Sequence, residues 1–556
     1  MSQMVNSMTG NQQGAPLLEV SNLRISFGAT PVVQGINFAL GAGEILGIVG
    51  ESGSGKTVSC RVLTGLLSDQ ASSSGQMTFN GRDYDLSDRS ACAGLRGKQI
   101  SMIFQDPMSA LDPLMKMRRQ LALRGADQAQ AEALFKQVGF PDPSAILDRY
   151  PHQLSGGQCQ RVAIACAMIS QPRILVADEP TTALDVTIQA GILKLLKETV
   201  QHMGTSMIFI THDLSVVSEL CNRVLVMRRG RIEEVRRTAE MLRHPHSTYT
   251  RSLLAAIPRA ENKGQRLPTL EDIQSGNPPR PLPAAPHIDK SGVPVLSFRN
   301  VGVDYLRAGG GNFRAIDDIN LDVYANEILG VVGESGSGKS TLSKAAVGLV
   351  KTASGEIRIR GRQANWLRAK RSERRDVQYI FQDPRGALDP ARRVLSQVRE
   401  PLDVHGIGER SQRDRMAGEE LCRAGLEPEF HQRKPGSLSG GQRQRVTIAR
   451  ALALKPKLLI CDESVSALDV SVQARILNML LEIRAERNIA ILFISHDLSV
   501  IQHLCDRVIV MRAGKIIETG SVGEVWNSPV AQYTQELLTA LPQLPAVHKH
   551  YEDIPA

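Results

Sequence analysis

Short apolar runs alternate along this chain with longer stretches in which apolar residues recur at helical spacing. Residues 44–49 and 327–332 are two nearly identical runs, and bounded apolar runs of this length predict buried β-strands. Helical spacing occurs at 188–200 and 472–485. Alternation of this kind predicts an α/β fold with ligands at the carboxyl ends of parallel strands. The other predicted strands are residues 173–177, 206–211, 457–461 and 490–495.

The whole pattern occurs twice, because residues 17–258 align with residues 295–542. The offset between the repeats rises from 277 to 284 within the segments 111–150 and 388–435, which predict a helical lobe that is about seven residues shorter in the first half. Polar residues and six prolines between the repeats predict a semi-extended linker. The predicted organisation is an N-terminal tail (1–16), a first domain (17–258), a linker (259–292), a second domain (293–545) and a C-terminal tail (546–556).

A glycine-rich loop follows the first apolar run of each repeat. Glycines let the backbone approach a polyphosphate, the lysine adds positive charge, and the Thr or Ser hydroxyl reaches Mg²⁺. One such match could be a surface turn, but its duplication after two predicted strands favours two nucleotide sites. The predicted binding residues are Gly50, Glu51, Ser52, Gly53, Ser54, Gly55, Lys56 and Thr57 in the first repeat, and Gly333, Glu334, Ser335, Gly336, Ser337, Gly338, Lys339, Ser340 and Thr341 in the second.

Paired acids end the apolar runs at Asp178-Glu179 and Asp462-Glu463. A phosphate loop needs a nearby acid for Mg²⁺ and a group that orients water. The first acid of each pair fits the metal role and the second fits the water. Solvated turn residues are the alternative, which the fixed spacing after each phosphate loop disfavours.

A Leu-Ser-Gly-Gly-Gln segment precedes a predicted helix in each repeat. Its backbone N–H groups and hydroxyl suit an anion, although the serine could be an ordinary helix N-cap. The residues concerned are Ser155, Gly156, Gly157 and Gln158, with Ser439, Gly440, Gly441 and Gln442.

The ordered set of motifs resembles the ATP-binding cassette (ABC) ATPases over nearly the whole chain outside the tail and linker. The resemblance implies two tandem P-loop NTPase domains, each with a RecA-like core and a helical subdomain. It also implies that two ATP molecules with Mg²⁺ are each held between the phosphate loop of one half and the Ser-Gly-Gly segment of the other.

The same resemblance assigns roles to residues outside the loops. Glu179 and Glu463 would polarise the attacking water, while His212 and His496, which could otherwise be helix caps, would sense the γ-phosphate. Mg²⁺ would be held by Thr57, Gln105, Asp178, Ser340, Gln382 and Asp462. Phe27 and Tyr305 would stack on adenine or serve as core aromatics, and Asp185 and Asp469 would contact the opposite phosphate loop or serve as N-caps.

A narrower resemblance, to the peptide/nickel importer subfamily, rests on residues 105–113, 179–186 and 463–470 and on the tails 244–258 and 528–542. It implies two such ATPases fused head to tail, peripheral at the cytoplasmic face of a bacterial inner membrane. The expected partners are two transmembrane permease subunits and an extracytoplasmic solute-binding protein. Peptide is the expected solute, ahead of nickel, glutathione, opine or sugar conjugate. The tails could alternatively be amphipathic closing helices without meaning for the solute.

Composition adds limits to these expectations. The net charge of +9 suits an anionic partner, but 4% aromatic residues disfavour base stacking, and no nucleic acid partner is expected. The chain has no apolar stretch long enough to span a membrane. No cysteine lies between 221 and 422 or after 505, so no iron–sulfur cluster is expected. The alternative function is a soluble tandem ABC ATPase acting on ribosomes or nucleic acid, which the proline-rich linker disfavours. A binding module without turnover is disfavoured by Glu179 and Glu463.

Overall fold

The computed structural model describes residues 15–181, 184–276, 279–306, 311–366, 369–465 and 468–542. The chain divides into two compact units. Among the described residues, the first comprises those from 15 to 184 and from 188 to 254 with residue 542, and the second comprises those from 185 to 187 and from 255 to 541. Most of the predicted N-terminal tail (residues 1–14) and all of the predicted C-terminal tail (546–556) lie outside the described residues.

The first unit contains two β-sheets. Its strands are β1 (Leu18–Phe27), β2 (Thr30–Leu40), β3 (Ile45–Val49), β4 (Ala71–Phe79), β5 (Arg82–Asp85), β6 (Ile100–Ile103), β7 (Ile174–Asp178), β8 (Ser206–Ile210), β9 (Arg223–Arg228) and β10 (Arg231–Arg237). The larger sheet has the order β10-β9-β3-β8-β7-β6, parallel except for β10. Strands β3, β7 and β8 are buried along their whole length, as their apolar runs predict.

The second unit repeats this arrangement. Its strands are β11 (Leu296–Leu306), β12 (Asn312–Val323), β13 (Ile328–Val332), β14 (Ser354–Ile359), β15 (Arg362–Gln363), β16 (Val377–Ile380), β17 (Leu458–Asp462), β18 (Ala490–Ile494), β19 (Arg507–Arg512) and β20 (Lys515–Ser521). The larger sheet has the order β16-β17-β18-β13-β19-β20, again parallel except at its β20 edge. The α/β fold predicted from the sequence is therefore confirmed in both units.

A four-stranded antiparallel sheet in each unit was not predicted. Its order is β2-β1-β4-β5 in the first unit and β12-β11-β14-β15 in the second. Strand β4 shows why the sequence signal is weak, because its residues are mostly serine, threonine and glutamine and only every few positions are buried. Half-exposed strands of this kind carry no continuous apolar run.

Helices fill the intervals between the strands. In the first repeat they span Lys56–Arg61, Arg89–Ala93, Met117–Ala122, Gln128–Gln137, Pro143–Leu147, Gly156–Met168, Val186–Met203, Leu214–Leu220, Thr238–Arg243 and Thr248–Ala255. Those that follow span Leu270–Ser275, Lys339–Ala346, Arg371–Asp376, Pro384–Ala387, Val394–His405, Arg413–Arg423, Pro428–His431, Gly440–Leu452, Val470–Arg487, Leu498–Leu504, Val522–Asn527 and Gln532–Thr539. None of the helices in the described part of the chain combines the length and apolar character that membrane crossing requires.

The two helical lobes differ most at one helix. Met117–Ala122 has 6 residues, whereas its counterpart Val394–His405 has 12. In the first turn of each helix a buried glutamine, Gln120 or Gln397, bonds the backbone of the preceding loop, at Asp112 or Asp389. The shortening predicted for the first lobe is therefore accommodated by truncating this helix at its carboxyl end.

The proline-rich linker is more ordered than its composition predicts. Leu267 is fully buried in the hydrophobic core of the second unit. The side-chain amide of Asn478 donates to the Leu267 carbonyl at 2.8 Å, and the Leu267 N–H donates to Asn478 Oδ1 at 2.8 Å. A short helix, Leu270–Ser275, follows with a Thr269–Asp272 capping box. At least this part of the linker belongs to the packed second unit.

We expect Asn478→Ala to destabilise the second unit by about 2–4 kcal/mol, because it leaves the buried N–H and C=O of Leu267 without partners. Trp366 and Trp526, the two tryptophans of the chain, both lie in the second unit, so urea unfolding followed by tryptophan fluorescence reports on it. Arg475→Ala is the control, because it removes only an exposed ion pair with Glu271 and should cost less than about 1 kcal/mol. Equal small effects of the two changes would contradict this account of the linker.

Candidate nucleotide sites

The two glycine-rich loops lie at the carboxyl ends of β3 and β13. Gly50 has φ of 149° and Gly333 has φ of 148°. A Cβ at either position would lie inside van der Waals contact of a backbone carbonyl oxygen, that of Met227 or Met511. Glycine is therefore required where each loop leaves its strand.

Each loop lysine is buried and bonded to its own loop. Lys56 Nζ donates to the carbonyl oxygens of Gly50 at 2.7 Å and Glu51 at 2.9 Å. Lys339 Nζ makes the same two bonds, to Gly333 and Glu334, at 2.7 and 2.8 Å. Burial lowers the pKa of Lys339, and the surrounding carboxylates oppose that change.

A buried serine hydroxyl in each loop also suits a polyphosphate. Ser54 Oγ and Ser337 Oγ are buried and have no hydrogen-bond partner among the described residues. Buried hydroxyls without partners are costly, and here they lie in loops whose backbone N–H groups open a helix at Lys56 and Lys339. Anionic oxygen suits both these hydroxyls and the helix N-termini.

A hydroxyl at the start of each of these helices reaches the first acid of the strand-end pair. Thr57 Oγ1 donates to Asp178 Oδ1 at 2.8 Å, and Ser340 Oγ donates to Asp462 Oδ1 at 3.2 Å. Asp178 and Asp462 are 1% and 3% exposed. Burial raises the pKa of Asp178, and the Thr57 hydrogen bond acts against that rise. A hard cation beside a phosphate prefers such hydroxyl and carboxylate oxygens, so these residues also fit Mg²⁺.

The second acid of each pair is bonded to the predicted glutamine. Gln105 Nε2 donates to Glu179 Oε2 at 3.0 Å, and Gln382 Nε2 donates to Glu463 Oε2 at 2.7 Å. The predicted histidines complete the clusters, with His212 Nδ1 at 3.4 Å from Glu179 Oε1 and His496 Nδ1 at 3.7 Å from Glu463 Oε2. The structure therefore brings the predicted Gln, Glu and His together in each repeat.

Both glutamates have an unusual backbone conformation. Glu179 has φ of 46° and Glu463 has φ of 47°, in the left-handed region that costs a non-glycine residue about 1–3 kcal/mol. The Glu179 N–H donates to the Ile210 carbonyl at 2.9 Å, and the Glu463 N–H donates to the Ile494 carbonyl at 3.0 Å. Each glutamate therefore leaves its strand at a turn that no residue pattern predicted.

Charge coupling within these clusters has a clear sign. Burial lowers the pKa of His212, but the hydrogen bond and the charge of Glu179 together raise it by more than burial lowers it. The net pKa of His212 therefore lies above its usual value. Burial raises the pKa of Glu463, but the hydrogen bond and charge of His496 outweigh it, and the net pKa is lowered. The His496 contact therefore stabilises the ionised form of Glu463, the form that orients or deprotonates water.

The serine of each Ser-Gly-Gly segment is exposed and is the N-cap of the helix that starts at the next residue. Ser155 Oγ accepts from the Gln158 N–H at 3.3 Å, and Ser439 Oγ accepts from the Gln442 N–H at 3.2 Å. Gln158 Oε1 and Gln442 Oε1 accept from the backbone N–H of the two serines. The two glutamines therefore complete capping boxes, while Gly156 and Gly440 lie at the helix starts.

The remaining predicted residues divide between exposed and buried positions. Phe27 is half-buried against the core of the first unit, whereas Tyr305 is 40% exposed. Asp469 is the N-cap of the helix Val470–Arg487. Asp185, which belongs to the second unit, accepts from the Ser335 N–H at 3.4 Å. Ala183 and Ala467 of the two Ala-Leu-Asp motifs lie outside the described residues.

One pair of tyrosines at these sites was missed. The Glu51 N–H donates to Tyr249 Oη at 3.2 Å, and the Glu334 N–H donates to Tyr533 Oη at 2.9 Å. Each ring also lies against an arginine, with Arg228 4.9 Å and Arg512 4.6 Å from the ring centroids. Both tyrosines occur at the same place in the repeated tails, a coincidence that could have identified them.

Both repeats match the same family of known proteins. A family model described as ABC transporter matches residues 33–182 and 316–466, and one described as oligopeptide/dipeptide transporter, C-terminal region, matches residues 233–281. Glutathione import ATP-binding protein GsiA of Salmonella typhimurium is 42% identical over 557 residues, covering 95% of this chain and 89% of that protein. The protein of the same name from Pectobacterium atrosepticum is 41% identical over 557 residues, with the same coverage.

Among solved structures, the complex of the archaeal ribosome recycling factor aABCE1 with a ribosomal stalk protein has a TM-score of 0.55. It covers 85% of this chain and 84% of the matched chain at 21% identity. This likeness concerns the fold alone.

We expect Glu179→Gln to lower the pKa of His212, because the change removes the negative charge that favours the imidazolium and leaves the burial that disfavours it. NMR titration of ¹³C-labelled histidine would measure the change. Glu240→Gln, an exposed change in the same repeat, should leave the His212 titration unaltered. A His212 pKa that is unchanged in Glu179→Gln would show that the contact is not electrostatic.

Proposed function

Because the chain belongs to the ABC transporter family and is an energy-coupling ATPase of the importer kind, we propose that it powers uptake of a small peptide or peptide-like solute. The observation that carries the site assignment is the repeated Gln–Glu–His cluster beside a phosphate loop and a buried aspartate. Both repeats hold the full set, so both are proposed to hydrolyse ATP.

The proposed roles follow from the contacts in each repeat. The loop N–H groups and Lys56 or Lys339 bind the phosphates, and Thr57 with Asp178 or Ser340 with Asp462 holds Mg²⁺. That ion supplies charge neutralisation at the phosphates when bound. Glu179 and Glu463 accept a hydrogen bond from water and orient it towards the γ-phosphate, while Gln105 and Gln382 hold the glutamates in place. His496 favours the ionised form of Glu463 by lowering its pKa, and both His212 and His496 are proposed to contact the γ-phosphate.

Partners of this ATPase include membrane permeases, as its importer relatives imply. Two permease subunits and an extracytoplasmic solute-binding protein are proposed, with the chain on the cytoplasmic face of a bacterial inner membrane. ATP-driven closing and opening of the permeases would be a hinge-type coupling. Support for a peptide-like solute comes from the oligopeptide/dipeptide match and from relatives named for glutathione import.

Reconstitution of the ATPase with its permeases and binding protein in vesicles tests which solute is transported. ATP-dependent uptake should be measured for glutathione, a dipeptide, a tripeptide and nickel, with Lys56→Ala/Lys339→Ala as the inactive control. Uptake of nickel alone would contradict the peptide assignment. Copurification with ribosomes instead of permeases would favour the alternative of a soluble tandem ATPase.

We expect Glu179→Gln and Glu463→Gln each to remove at least about half of the steady-state ATPase activity, because loss of a general base costs about 10²–10⁴-fold at its own site. The double change should lower phosphate release about 100-fold or more. Glu198→Gln, on the exposed side of the helix Val186–Met203, is the matched control and should retain full activity. If either single variant keeps wild-type turnover, that site does not hydrolyse ATP.

A further inference from the structure

The two metal-side aspartates are held differently, although both bond the phosphate-loop helix through Oδ1. In the second repeat, Asp462 Oδ2 accepts from Tyr379 Oη at 2.5 Å, while the single hydroxyl proton of Ser343 is shared between Asp462 Oδ2 at 3.3 Å and the Ser340 carbonyl at 3.0 Å. The two hydroxyl oxygens lie 3.1 Å from each other. Together with the Ser340 bond at Oδ1, both oxygens of this buried carboxylate have donors.

The first repeat lacks both of these donors. Asp178 Oδ2 is buried and has no hydrogen-bond partner among the described residues. Cys60 follows Thr57 by three positions, as Ser343 follows Ser340. Met102 occupies the place of Tyr379, because Met102 pairs with Val176, two residues before Asp178, and Tyr379 pairs with Ile460, two residues before Asp462.

Chemistry at these positions explains the difference. A thioether has no proton to donate, and a thiol is a weak donor, whereas phenol and serine hydroxyls are good donors to a carboxylate. Hydrogen bonds to an ionised group inside a protein are short and strong. The bond from Tyr379 at Oδ2 fixes the rotation of the Asp462 carboxylate and leaves Oδ1 directed at Ser340, with Ser343 beside both, while Thr57 is the one hydrogen-bond donor to the Asp178 side chain among the described residues.

We propose that Tyr379, assisted by Ser343, is a positioning residue for Asp462, and that the second site consequently binds the metal–nucleotide complex more tightly than the first. This inference rests on the proposed function, because it requires two nucleotide sites. Partners that orient a metal-binding carboxylate typically change metal affinity by about 10–100-fold. A purely structural role for Tyr379 would reside in its ring, which packs edge-on against Phe381 with centroids 4.7 Å apart.

Single-site backgrounds of the full-length chain allow each aspartate to be tested separately. Lys56→Ala leaves the second repeat as the intact nucleotide site, and Lys339→Ala leaves the first. Mn²⁺ affinity in the presence of saturating ATPγS, measured from free Mn²⁺ by electron paramagnetic resonance, is independent of turnover. Tyr379→Phe in the Lys56→Ala background should weaken Mn²⁺ binding about tenfold, because it removes only the hydroxyl.

Matched changes in the first repeat complete the experiment. Met102→Leu in the Lys339→Ala background should leave Mn²⁺ affinity unchanged, while the reciprocal pair Cys60→Ser/Met102→Tyr should increase it. Ser343→Ala should weaken Mn²⁺ binding at the second site in the same direction as Tyr379→Phe. If Tyr379→Phe does not fold, the Ser343→Ala and reciprocal variants decide the question, with thermal unfolding as the check on folding.

Three results would overturn the proposal, and they can be told apart. Equal Mn²⁺ affinities in the two backgrounds would remove the asymmetry. An unchanged affinity in Tyr379→Phe and Ser343→Ala would show that their hydroxyls do not act through Asp462. If the wild-type chain binds no ATPγS, the proposed function itself fails, whereas nucleotide binding with equal metal affinities would contradict this inference alone.

Discussion

A hydrogen bond from a phosphate-loop hydroxyl to a buried carboxylate is the contact on which both sites depend. It joins Thr57 to Asp178 and Ser340 to Asp462, residues 121 and 122 positions apart. A buried carboxylate is costly unless it is hydrogen-bonded, so this bond requires that β7 and β17 end beside the loops. The position of the next residue, Glu179 or Glu463, is then largely set.

That next residue leaves its strand at a strained turn. Its positive φ is stable because the glutamate N–H remains bonded to the neighbouring strand, at Ile210 or Ile494. The side chain therefore meets a glutamine and a histidine that come from elements far away in sequence. Strain retained at the same point in both repeats is the pattern expected of functional groups.

Sequence reasoning located what depends on strong local signals. Buried strands such as Ile45–Val49 are continuous apolar runs, and the loop glycines have a fixed spacing, so both could be identified without a structure. The antiparallel sheets, the turn at Glu179 and the bond from Glu51 to Tyr249 could not, because they arise from tertiary contacts between weakly patterned segments. Asn478 was missed for the same reason, since its partner is a backbone 211 positions away.

Repetition of a fold does not make two sites identical, and the difference lies one layer behind the motifs. The loops, acids and histidines are nearly the same in both repeats, but Cys60 and Met102 replace Ser343 and Tyr379 behind the metal-side aspartate. Motif comparison alone therefore predicts two equal sites, whereas the hydrogen bonds of Asp178 and Asp462 differ at one oxygen. A carboxylate's orientation depends on all of its donors, so the residues behind a motif can set the strength of each site without altering the motif itself.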